Sequence, residues 1–207
     1  MKVGILMLNE DLEQRELFNK FYKITDQAID KAVSFQDIDG LSVSQNELIR
    51  GCIKTTLVDA KKYNQSKETA VAYSESRFGE IFGTEHGVNI NSSTEIFSII
   101  NRDDFCVVFH NHPSTQTFSI TDLNYFLFYK KINVFGVVSN LGNVELLIRQ
   151  HDVWDDKFWD LEDKLGEYFN TQLKDKDTKS MSQEELYHLS KTILSKFKEL
   201  NYYIHLK

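Results

Sequence analysis

The chain has 207 residues, 41% apolar and 27% charged, an ordinary globular composition that excludes collagen-like, low-complexity and wholly disordered chains. Lys and Arg number 24 against 31 Asp and Glu, and the resulting charge of −7 works against a broad phosphate-binding surface. No apolar run approaches the roughly 20 residues that span a bilayer, and Val3 to Leu8 runs into Asn9-Glu10-Asp11 without a small-residue cleavage site. A cytoplasmic protein is therefore expected. Cys52 and Cys106 lie in apolar patterns rather than in a Cys-x-x-Cys pair, so buried, reduced thiols are expected.

Leu12, Leu17, Phe21, Ile24, Ala28 and Ala32 recur at helical spacing and predict one N-terminal helix over 9–34. After a turn at Gly40, Leu48, Ile49, Cys52, Ile53, Thr56, Leu57 and Ala60 predict a second amphipathic helix ending near Tyr63. Two short β-rich segments, 69–73 and 79–82, read as strands. Ser92 followed by Glu95 looks like a capping box opening a helix that runs to about Asn101. Phe105 to Phe109 is a continuous apolar run, as expected of a strand buried on both faces, and it delivers His110 at its end. A helix over 119–131 and two strands, 133–139 and 144–149, follow, with Asn140 to Asn143 as the hairpin turn.

Beyond Gln150 two helical stripes appear, Trp154 to Leu173 and Leu186 to Leu200, separated by a polar connector. The expected organisation is an N-terminal helical extension (1–45), a mixed α/β domain (46–150) and a C-terminal helical hairpin (151–207). The remaining histidines, His86, His151, His188 and His205, are scattered, and the Arg149-Gln150-His151 run looks bland.

The chemically dense segment is His110-Asn111-His112-Pro113, followed by Ser119-x-x-Asp122. In an extended chain, residues i and i+2 share a face, so His110 and His112 present two imidazoles to one side. Pro113, the single proline of the chain, ends the strand and biases His112 toward an extended conformation. Asp122, in the first turn of the next helix, is placed to return as a third ligand. Two histidines and one carboxylate leave a coordination position free for water, the hallmark of a catalytic zinc site. Each piece also has an ordinary reading, as a helix cap or a strand-end histidine; their combination favours the metal.

These residues resemble the JAMM signature of the JAB1/MPN metalloproteases, a glutamate, then His-x-His-Pro, then Ser-x-x-Asp. The run His110 to Ser114, with Gly87 and Glu95-Ile96-Phe97 upstream, is most similar to the bacterial RadC-like branch, over about residues 46–149. The resemblance implies a JAB1/MPN-like, cytidine-deaminase-like α/β fold and a Zn²⁺ ion held by His110, His112 and Asp122. It makes Glu68 the general base, with Glu75, Glu80 and Glu85 as rivals, and gives the Ser119 hydroxyl to the oxyanion. The implied activity is a zinc-dependent peptidase or isopeptidase, acting on a protein or peptide substrate such as a ubiquitin-like modifier. The alternatives are a non-catalytic MPN-fold binding module and a RadC-like role in DNA metabolism, the latter disfavoured by the acidic charge. The loop between His112 and Ser119 is one residue shorter than the family's, which would draw Asp122 off ligand geometry.

Overall fold

The structure is a computed structural model that describes residues 20–102, 104–149, 151 and 155–206. Within them lie six α-helices and one six-stranded mixed sheet. In chain order the elements are α1 (Asp26–Val33), α2 (Val43–Tyr63), β1 (Thr69–Tyr73), β2 (Phe78–Phe82), α3 (Thr94–Ile100) and β3 (Val107–His112). They continue with α4 (Ile120–Phe128), β4 (Val134–Ser139), β5 (Val144–Ile148), α5 (Asp156–Leu173), α6 (Gln183–Glu199) and β6 (Tyr203–Leu206). The strand order is β2-β1-β3-β4-β5-β6. The β3–β4 pair is parallel and every other pair antiparallel.

Strand β3 is central, and all six of its residues are buried. Alternation along it feeds two cores: Val107 and Phe109 join α1 and α2 on one face, while Val108 joins α3 to α6 on the other. Both cores draw on residues outside 46–150, including Ile29 and Ala32 on one side and Leu165, Phe169, Ile193 and Phe197 on the other. The Phe109 ring lies over Gly136 of β4, where a Cβ would sit 2.0 Å from it. Only glycine fits there. No helix among the described residues is long and apolar enough to cross a membrane.

Several boundaries differ from the sequence expectations for identifiable reasons. The N-terminal helix is confined to α1, because Thr25 caps it by accepting from the Ala28 N–H. Residues 20–25 are not helical, and 9–19 lie outside the described residues. Helix α3 is capped by Ser93 rather than Ser92: Ser93 Oγ accepts from Ile96 N–H, and Ser92 closes the preceding 3₁₀ turn. Strand β3 runs on through His112, whose ladder partner is Ser139, so both histidines belong to the strand. The chain after Leu200 returns as β6, antiparallel to β5 at the sheet edge, where the sequence predicts only a helical hairpin. Four residues without clean alternation carry little strand signal. Trp154 lies outside the described residues.

Arg149, bland in the sequence, is a buried structural cation. Helix α4 stops short of the expected 131, and Arg149 donates to Phe126 O in its last turn and to Ile132 O beyond it, both at 2.6 Å. Its counter-ion is Glu162 of α5 at 2.8 Å, itself buried and also bonded to Lys130 at 2.6 Å. Removing one partner strands a buried charge, so Glu162→Ala is expected to destabilise the fold by about 3–5 kcal/mol. Urea unfolding checks this, and a loss below about 1 kcal/mol would show the pair to be dispensable.

A candidate metal centre

Sheet register brings the site together. Ala70 of β1 pairs with His110 of β3, and Glu68, just before β1, lines the same pocket as His112 and feels the charges of His112 and Asp122. His110 and His112 are 2% and 7% exposed. Their Nε2 atoms lie 3.0 Å apart, and the His110 ring packs on Phe135, with centroids 5.6 Å apart.

Asp122 comes to the histidines from the start of α4, because Ser119 and Asp122 form a capping box. Asp122 Oδ2 accepts from the Ser119 N–H and from the Ser119 hydroxyl, both at 2.7 Å, and Ser119 Oγ accepts from the Asp122 N–H at 3.2 Å. Folding the carboxylate back over the helix start points Oδ1 at His110 Nε2, 3.2 Å away, and leaves Oδ2 3.7 Å from His112 Nε2. The shorter loop therefore does not draw Asp122 away from the imidazoles. Ser119 itself is exposed, and its hydroxyl hydrogen is engaged on Asp122.

The Asp122 carboxylate is held ionised beside the imidazoles. Burial alone would raise the Asp122 pKa, but the His110 charge and hydrogen bond, then His112 and the Ser119 hydroxyl, hold it well below the usual carboxylate range. His112 Nδ1 lies 3.1 Å from the Gln116 carbonyl. An N–H there donates to that carbonyl and leaves the Nε2 lone pair facing the centre. His110 Nδ1 is buried without a partner among the described residues. With Nε2, Nε2 and an ionised carboxylate converging, a shared proton or a metal ion must lie between them. Tetrahedral coordination at about 2.0–2.1 Å separates its ligands by about 3.3 Å; His110 Nε2 lies 3.0 Å from His112 Nε2 and 3.2 Å from Asp122 Oδ1, and one ligand atom from each residue falls within 4.8 Å of the others. His110, His112 and Asp122 thus form a group that could hold a metal ion.

Beside this group opens a pocket of about 360 Å³, lined by Glu68, His112, Glu85, His86, Phe21 and Gln116 among others. Burial, aided by Asp122 and opposed by His112 and a backbone hydrogen bond from Val88, pushes the Glu68 pKa up to about 7. A carboxyl with that affinity for a proton suits general-base work near neutral pH. The rivals lie elsewhere. Glu75 is exposed in the β1–β2 turn, Glu80 is half-buried beside Asp59 on the opposite face, and Glu85 stands at the pocket rim, 3.9 Å from Lys67 Nζ. His86, which the sequence leaves as an ordinary histidine, lines the same pocket.

The raised Glu68 pKa makes a stability prediction for the metal-free protein. The folded value of about 7 exceeds the ordinary 4.5, so folding favours the protonated form. The cost of ionising Glu68 is absent below pH 4.5 and full above about pH 7. Glu68→Gln should then gain about 2–3 kcal/mol at pH 8 and nothing at pH 4, read from urea melts at the two pH values. An equal gain at both would show that ionisation is not its source.

Asn111 and Asn140 escape the sequence reading. Asn111 points away from the imidazoles and is fully buried, and its amide meets that of Asn140 at 2.7 Å. The available signal was a polar residue inside a strand buried on both faces, which must find partners.

No protein-family model, no curated protein and no solved structure matches the chain. The fold and site define it as a mixed α/β protein with a buried two-histidine, one-carboxylate group suited to a metal ion.

Proposed function

We propose that this protein is a zinc-dependent peptidase or isopeptidase of the JAMM type, with a JAB1/MPN-like fold. The observation that carries the reading is the convergence of His110, His112 and Asp122, with Glu68, just before the neighbouring strand, in the pocket that His112 borders. Two imidazoles and a carboxylate are a catalytic zinc donor set with a position left for substrate or water. When bound, the ion supplies Lewis acidity, lowering the pKa of a water and polarising the scissile carbonyl.

The chain's own residues supply the proton transfers. Glu68 takes a proton from the attacking water and returns it to the leaving amine, a role its pKa of about 7 suits. Ser119 holds Asp122 through the capping box and, with its hydroxyl turned from Asp122, would steady the oxyanion. Phe21, Glu85 and His86 line the pocket beside Glu68 and would contact the substrate. The substrate class proposed is an amide at or near a peptide C-terminus, or an isopeptide to a lysine of a ubiquitin-like modifier.

A panel of fluorogenic peptides and ubiquitin-like isopeptide conjugates tests the proposal. Cleavage is expected to stop with 1,10-phenanthroline and to return with added zinc. Cleavage undiminished by the chelator would overturn it.

A further inference from the structure

We infer that Asn111, the residue between the two histidines, is a positioning residue for Glu68; this rests on the reading of Glu68 as the base. Backbone pairing between β1 and β3 begins at Ala70 with His110. Glu68 lies two residues before that point, beyond the regular ladder. The Asn111 side chain takes over where pairing stops. Its Oδ1 accepts from the Thr69 N–H at 2.7 Å, and its Nδ2 donates to the Lys67 carbonyl at 3.2 Å. One amide therefore grips the peptide groups on both sides of Glu68.

The grip is itself fixed. Asn111 Nδ2 also donates to Asn140 Oδ1 at 2.7 Å, so the one amide oxygen and both amide hydrogens have partners. Asn140 in turn donates through Nδ2 to the carbonyls of Tyr22 and Ser66, each at 2.7 Å, and through its backbone N–H to the His112 carbonyl at 2.9 Å. On the other side of Glu68, its N–H donates to Thr84 O at 2.9 Å, and its carbonyl accepts from Gly83 N–H at 2.8 Å and Asn64 Nδ2 at 2.7 Å. Asn111 is fully buried, so its bonds are not exchanged with water.

The alternation of the strand gives the arrangement its consequence. His110 and His112 face the metal side, and Asn111, on the opposite side of the same strand, fixes the segment that presents the base. Ligands and base are thus referenced to one backbone. Because an error of about 1 Å at a reacting group can cost about 10²-fold, a bracket at this position governs turnover rather than metal capture.

The test uses Asn111→Ala in the full chain, in metal-free and zinc-loaded forms. In the metal-free protein, amide exchange at Thr69 should quicken at least roughly tenfold while Ala70 and Ala72 keep their protection. Zinc content should match the wild type. On a cleavable reporter, kcat should fall about 10–100-fold with KM unchanged. The penalty should shrink in a Glu68→Asp background, where the base is already displaced, whereas a merely structural role would add in full. Wild-type kcat in the folded, zinc-loaded variant, or a full penalty in the Glu68→Asp background, would overturn the inference. Should the alanine variant not fold, Asn111→Asp keeps the acceptor for Thr69 and loses the donor to Lys67, and the same fall in kcat is required of it. A wild-type chain that cleaves nothing would sink the peptidase reading alone, and unchanged Thr69 exchange would sink the bracket alone.

Discussion

Glu68→Gln is expected to bind zinc as the wild type does and to lose about 10²–10⁴-fold in amide cleavage. The substitution keeps the shape of the side chain and removes its ability to take a proton. Glu68 is not one of the three converging donors, so zinc content should not move. Its carboxyl stands in the pocket that His112 borders, so the proton transfer should fail. Elemental analysis and turnover on the same preparation check the two halves together. Wild-type rates would remove Glu68 from the mechanism, and loss of zinc would make it a ligand instead of a base.

His112→Ala and Asp122→Ala are expected to abolish stoichiometric zinc binding and, with it, cleavage. Removing a donor from a three-residue site should cost more than the roughly 10–100-fold typical of losing a group that only orients a ligand. The two variants should differ in stability for a separate reason. Asp122 Oδ2 also accepts the Ser119 N–H in the capping box of α4, so its alanine variant loses that arm of the box, worth about 1 kcal/mol, which His112→Ala retains. Zinc titration of the metal-free variants, followed by thermal melts, separates the effects. Wild-type zinc affinity in either variant would dismantle the three-donor assignment.

The parts of the site carried by local periodicity were legible in the sequence. His110 and His112 share a face because strand geometry fixes the i, i+2 relation, and Ser119-x-x-Asp122 announced a helix start. Glu68 was legible as a carboxylate leading into a strand, but its place in one pocket with His112 depends on how β1 and β3 come together, which no local pattern specifies. Residue count in the short loop does not report how the capping box turns the Asp122 carboxylate toward the imidazoles. Asn111 and Asn140 were invisible because their partners lie far off along the chain, and Arg149 because its burial depends on a carboxylate 13 residues away in α5. Strand β6 required the sheet edge to exist first. Its residues, Tyr203 to Leu206, do not alternate cleanly enough to declare themselves.

The three-donor centre is tested most directly by the metal content of the purified wild-type protein, measured by elemental analysis before and after zinc reconstitution. About one zinc per chain is the predicted result. A chain that holds no stoichiometric zinc after reconstitution would contradict the account: the converging atoms would then share a proton instead of an ion, and a binding module without turnover would describe the protein better.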